Sequence, residues 1–218
     1  MAVANRLLRV MPLGASITWG QGSSTGNGYR QKLKEFLADE GIPIEYVGSQ
    51  SSGTMTNGDN EGWPGAYISD VFKIAKESIP NNLPDLVLIN AGTNDAGRNI
   101  DITHAHERML QILELVWGVS PSTTVVLSTL IRCQNSYVNR NALVVNEGFK
   151  KMALEQQENS RRLVLVDMRA EDGPQVQDLY DGLHPNDAGY EKMAALWLAG
   201  IKEAGLKGWL DPLGSPPS

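Results

Sequence analysis

The sequence predicts an α/β fold of three layers, αβα, built on a flavodoxin-like five-stranded parallel sheet. Three observations predict it. Five short apolar runs, at residues 7–11, 44–47, 86–89, 124–130 and 163–166, alternate with longer segments of helical period. The Gly/Ser/Asn-rich stretches 20–28 and 48–62 follow the first two runs, at the end of the sheet where such folds gather ligands. And 218 residues, 41% of them hydrophobic, suit one domain with a sizeable core.

Taken in order, run 7–11 is the first strand, and residues 29–38 then place Leu33, Phe36 and Leu37 on one helical stripe. Run 44–47 is the second strand. The next helix carries Val71, Ile74, Ala75 and Ile79 on one face, before the very apolar run 86–89. Residues 102–117 align Ile102, Met109, Ile112, Leu113 and Val116, while 142–157 and 188–204 supply the last two helices. Asn186 is placed to cap the final helix, and Asp187 lies near its positive end. The domain spans residues 1–210; the Pro/Ser-rich end, 211–218, reads as a tail or the start of a linker.

Composition excludes several functions. With 19 Lys+Arg against 25 Asp+Glu the net charge is −6, and no dense basic run offers a footprint for nucleic acid. No run reaches the ~18 apolar residues of a membrane span, and Arg6 and Arg9 interrupt the start, so a soluble protein without signal peptide or membrane partner is expected. Three His and one Cys argue against a zinc cluster, and a single Cys forbids an internal disulfide. His104 and His106, two apart at a helix start, point to different faces, so no metal is assigned to them. Cys133, past the fourth strand, reads as structural.

Four segments carry chemistry. Gly14-Ala15-Ser16 follows the first strand, where a Ser after a tight turn presents its hydroxyl to the crevice. Asp181-Gly182-Leu183-His184-Pro185 precedes the last helix; a nucleophilic Ser needs a base, and the base needs an orienting carboxylate. Gly92-Thr93-Asn94-Asp95 follows the third strand and offers an amide donor for an oxyanion. Glu61-Gly62-Trp63-Pro64-Gly65 offers a backbone amide leading into a helix. Each segment alone also reads as ordinary turn or cap chemistry. Their common place, at the carboxyl ends of strands or in the final loop, where one crevice would gather them, is what sets them apart.

Together these segments resemble the four sequence blocks of the SGNH (GDSL-type) hydrolases, over residues 7 to about 200. Within that superfamily the chain is most similar to carbohydrate esterase family 3, the acetyl xylan esterases. That likeness rests on Met11-Pro12-Leu13-Gly14, Gly28-Tyr29-Arg30, Tyr46-Val47-Gly48-Ser49, the Glu61–Gly65 segment, Pro84-Asp85-Leu86-Val87 and the stretch from Asp181 to Tyr190. The resemblance implies the SGNH fold, with Ser16 as nucleophile, His184 as base and Asp181 as its orienter. It implies an oxyanion hole from the Ser16 amide, the Gly65 amide and the Asn94 side chain; Gly65 is chosen over Gly62 as the Gly nearest the following helix. One departure stands out: Ala15 occupies the place of the family's Asp, which puts loop rigidity in question.

The function so implied is hydrolysis of acetyl esters, on xylan or related acetylated carbohydrates, with no cofactor and no metal. Trp19 and Trp63 flank the site as candidates for the substrate pocket or for core packing. A small-ester, aryl-ester or lysophospholipid hydrolase would use the same residues, and a catalytically weak carbohydrate-binding protein is the reading from another class. The partner is a small-molecule or polysaccharide ester, the state a monomer. Family resemblance implies secretion; the start of the chain argues for the cytoplasm.

Overall fold

The computed structural model describes residues 7–210; the predicted tail, 211–218, lies outside the described residues. The chain runs β1 (Leu8–Gly14), α1 (Ser16–Trp19), α2 (Tyr29–Asp39), β2 (Ile44–Tyr46), β3 (Gln50–Ser51), β4 (Asp59–Gly62), α3 (Ile68–Asn82) and β5 (Leu86–Asn90). It continues with α4 (Thr93–Arg98), α5 (Ala105–Val119), β6 (Thr124–Ser128), α6 (Ser136–Glu158), β7 (Leu163–Val166) and α7 (Asp187–Leu206).

The five anticipated strands form a parallel sheet in the order β2-β1-β5-β6-β7. Alternate residues face opposite layers, and both faces are apolar, as a covered parallel sheet requires. Met11, Leu13, Val87 and Ile89 pack with Val71, Met109 and Phe149 of α3, α5 and α6. Leu8, Val10, Leu86 and Leu88 pack with Leu33 and Trp197 of α2 and α7 on the other side. Helix α7 lies tight on the sheet, since a Cβ on Gly200 would fall 2.5 Å from Val166 Cγ1.

Two short strands extend the five-stranded prediction to a seven-stranded sheet. β4 pairs with the upper part of β1, Leu13 opposite Glu61 and Gly14 opposite Gly62, and β3 pairs antiparallel with β4. Their sequences, Gln-Ser and Asp-Asn-Glu-Gly, lack the β-branched and aromatic residues that announce a strand. Helix α6 begins at Ser136, six residues before its apolar face suggests, because the Asn135 side chain accepts from the amides of Tyr137 and Val138 at 3.0 and 3.2 Å. Asn186 caps α7 as expected, accepting from Gly189 N–H at 3.0 Å.

Candidate active site

The carboxyl end of β1 closes on a turn that only glycine fits. A Cβ on Gly14 would lie 2.1 Å from the Asn90 carbonyl oxygen and 2.6 Å from Thr18 Oγ1. Ala15 follows, buried in the core against the α3 layer, and Ser16 opens the one-turn helix α1, which ends at left-handed Gly20. The Ala15 methyl offers no hydrogen bond at the place where the resembling sequences carry Asp.

Ser16 Oγ lies 2.9 Å from His184 Nε2, and His184 Nδ1 lies 2.8 Å from Asp181 Oδ2. The other oxygen, Asp181 Oδ1, accepts from the amides of His184 at 2.8 Å and Leu183 at 3.0 Å. Burial pushes the Asp181 carboxyl up, but these amides and the imidazole outweigh it and hold it below its ordinary value. An ionised carboxylate only accepts, so Nδ1 carries the ring proton and Nε2 accepts from the Ser16 hydroxyl. The turn is braced at its base: Tyr180 N–H donates to His184 O and Asn186 N–H to Asp178 O, each at 2.8 Å.

The segment of residues 61–65 runs from the end of β1 toward Asn94. Trp63 N–H donates to Gly14 O at 3.1 Å, Ala66 N–H to Trp63 O at 3.0 Å, and Gly62 N–H to Asn60 Oδ1 at 2.8 Å. Pro64 has no N–H, so among the described residues Gly65, at φ +87°, is left as the loop amide without an acceptor. The Asn94 side chain donates to Ala66 O at 2.9 Å, which ties α4 to this loop and leaves its second N–H uncommitted. The Trp63 indole turns back to donate to Glu61 Oε2 at 2.9 Å, while its ring is part-exposed; Trp19 is half-buried.

Three supporting side chains carried no signal of their own. Glu61 is fully buried and accepts from Ser49 N–H, Ser49 Oγ, Ser78 Oγ and the Trp63 indole, four donors that replace its lost water. Arg30, also fully buried, donates to the carbonyls of Gly58, Trp19, Gly26 and Ser52, so it closes the end of α1 and knits the loops around it. Only the place of Arg30 in Gly28-Tyr29-Arg30, just past one Gly-rich stretch, and of Glu61 at the end of the other hinted at them.

Asp95 is the third. Its carboxylate accepts from Ile68 N–H at 3.0 Å and from Arg108 Nη2 at 3.2 Å, joining the start of α3 to α4 beside Asn94. Burial raises its pKa, with the Ile68 amide and Arg108 pulling against that rise. Arg108→Gln therefore leaves a buried carboxylate without its cation and costs about 2–3 kcal/mol at neutral pH. With a raised folded pKa, the folded state holds more protons than the unfolded chain above the ordinary carboxylate value, so stability falls as pH rises through that window. The deficit of the variant shrinks on acidification, and urea titrations at neutral and mildly acidic pH check this.

Cys133 is buried past β6, and burial together with the nearby Asp181 charge raises its thiol pKa. His104 instead pairs with Asp101 at 2.7 Å on the surface.

A three-layer fold on a mainly parallel sheet, with a hydroxyl at the end of its first strand in one row with an imidazole and a carboxylate from the loop before the last helix, is the layout of an SGNH-fold hydrolase. The chain belongs to the GDSL-like lipase/acylhydrolase family, whose model matches residues 13–192. It is 30% identical over 224 residues to a multidomain esterase of Ruminococcus flavefaciens, a match covering 89% of this chain and 28% of that protein. The chain thus spans little more than a quarter of that relative's length.

Solved structures share the fold. A family 3 carbohydrate esterase of Clostridium thermocellum superposes with a TM-score of 0.81 at 23% identity, covering 91% of this chain and 96% of that one. A family 3 carbohydrate esterase from Talaromyces cellulolyticus gives 0.78 at 21%, covering 90% and 97%. A lipase/acylhydrolase from Enterococcus faecalis gives 0.71 at 21%, covering 94% and 98%. Among the described residues no helix is long and apolar enough to cross a membrane.

Proposed function

We propose that the protein is a serine esterase that removes acetyl groups from xylan or related acetylated carbohydrates. The observation that carries the reading is the row from Ser16 Oγ through His184 to Asp181, at 2.9 and 2.8 Å. His184 Nε2 takes the Ser16 proton as Oγ attacks the acetyl carbonyl, and the new oxyanion is met by the Ser16 and Gly65 amides and the Asn94 side chain. The C–O bond to the sugar then breaks, and the sugar oxygen leaves with the proton from Nε2. Water repeats the sequence on the acetyl-enzyme, returning the proton to Ser16 and releasing acetate. Asp181 stays ionised and holds the ring in the tautomer this needs.

The acetyl and carbohydrate parts of the reading draw support from the resemblance to carbohydrate esterase family 3 and from the two family 3 esterases that share the fold. On this reading the substrate is a polymer met outside the cell, by a monomeric enzyme. Covalent labelling by a fluorophosphonate, mapped to Ser16, tests the nucleophile. A panel of acetylated xylan, p-nitrophenyl acetate and longer acyl esters tests the substrate. Preference for acyl chains of C8 or longer would refute the acetyl reading and favour the lipase named among the neighbours.

Asn94→Ala lowers kcat by about 10²–10³-fold with KM little changed, the signature of a donor that acts on the oxyanion. A turn residue without that role would lower thermal stability and leave kcat near the parent value. Steady-state kinetics beside a melting curve separates the two.

A further inference from the structure

Against Asp181, at the end of the row away from Ser16, lies a cavity of about 440 Å³ that neither Ser16 nor His184 lines. One wall is formed by Cys133, Gln134 and Val138, from the segment that enters α6; the other is Asp181, Gly182 and Leu183, the turn that ends in His184. The volume falls in the ~300–1,000 Å³ range of small-molecule sites. Trp19 and Trp63 line none of it.

The two walls are tied together. Gln134 N–H donates to Gly182 O at 2.8 Å, and a Cβ on Gly182 would meet Gln134 Oε1 at 2.5 Å. Gly182 sits at φ +83°, so glycine is what lets the turn lie flat against Gln134. The cavity is therefore built before any ligand arrives.

Acyl transfer dictates which half of an ester faces it. The carbonyl oxygen must point to Gly65 and Asn94, whereas the departing oxygen must reach His184 Nε2 to collect its proton. The alcohol half thus leaves on the imidazole side, and the imidazole rides on the turn that walls the cavity. The lining suits a polyol: Val138, Leu183 and Cys133 give apolar surface for a carbon skeleton, while the exposed Gln134 amide offers donors and an acceptor for hydroxyls. Tyr137 and Tyr180, chain neighbours of lining residues, are 47% and 73% exposed, leaving aromatic surface beyond the cavity.

The geometry points to this cavity as the leaving-group subsite, the place of the alcohol half of the ester. Resting on the reading under Proposed function, that half is the sugar ring that carries the acetyl group.

The test compares kcat/KM on methyl acetate, 1-naphthyl acetate and an acetylated xylobiose for the parent, Gln134→Ala and Val138→Trp. Gln134 is exposed and its backbone N–H survives truncation, so that variant folds even where the larger side chain at 138 does not. The xylobiose-to-methyl-acetate ratio falls about tenfold or more in both variants, from lost hydrogen bonds in one and a filled cavity in the other. The naphthyl-to-methyl ratio falls alike in Val138→Trp. Ratios unchanged from the parent overturn the assignment, as does a Val138→Trp loss that tracks acyl length on methyl esters. A parent that cleaves naphthyl acetate but no acetylated sugar overturns the carbohydrate reading alone, and the naphthyl ratio of Val138→Trp still decides the cavity.

Discussion

On the proposed mechanism Ser16→Ala lowers kcat on p-nitrophenyl acetate by about 10⁴–10⁶-fold, because attack by Oγ is then the step that the rest of the site prepares. Among the described residues the hydroxyl's one bond is to His184 Nε2, at 2.9 Å. Its removal leaves Gly65 and Asn94 in place, so a small residual rate from oxyanion binding is expected. Ala is a good helix former at the first position of α1, and the fold around Gly14 depends on backbone, so the melting temperature stays near the parent's. The fluorophosphonate adduct disappears in the same variant. A purified variant that cleaves the ester at the parent rate would remove Ser16 from the mechanism.

Asp181→Asn lowers kcat by about 10⁴-fold while the protein remains folded. In the parent, Oδ1 accepts two backbone N–H groups and Oδ2 accepts from His184 Nδ1. The single oxygen of Asn satisfies the amides, and its NH₂ then faces Nδ1. The imidazole answers by moving its proton to Nε2, the nitrogen that must accept from Ser16. Turning the amide over instead sets NH₂ against the Leu183 and His184 N–H groups and loosens the turn.

A second readout follows from the depressed pKa of Asp181. A carboxyl whose folded value lies below its unfolded value stabilises the fold above the ordinary value of about 4, and that contribution is lost as pH falls through the folded value. Asn has no such dependence. The gap in melting temperature between parent and variant therefore closes as pH drops below about 4, and scanning calorimetry across that range shows it. A gap independent of pH would mean that the carboxylate is not held as the geometry describes.

The sheet was legible because its strands are short, near-continuous apolar runs and its helices repeat with period 3.6, signals that survive in any single sequence. β3 and β4 were not, since Gln50-Ser51 and Asp59–Gly62 lack the residues that favour strands and exist through the pairing of β4 with β1 and of β3 with β4, and through the bonds of Arg30, Asn60 and Glu61. The short helices α1 and α4, of four and six residues, escaped for a related reason: neither is long enough to show a stripe. Ser16 and Asn94 were legible as residue types after strands, and Asp181 and His184 as residue types in the loop before the last helix. Their mutual distances were not, because Ser16 and His184 are 168 positions apart and meet only through the folded sheet.

By itself, the sequence determined the alternation of strands and helices in the core, the residues proposed here as nucleophile, base and orienter, and a single Cys with no second one to pair with in these 218 residues. These follow from local periodicity and from which side chains are present at all. Only the tertiary structure decided that Gly62 has its amide committed to Asn60 while Gly65 does not, and that Trp63 turns its indole to Glu61. It alone also decided that a cavity opens between Gln134 and the Asp181 turn. Hydrogen-bond partners and empty space depend on atoms brought together across the chain, and a linear pattern does not encode which of two equivalent groups is already taken.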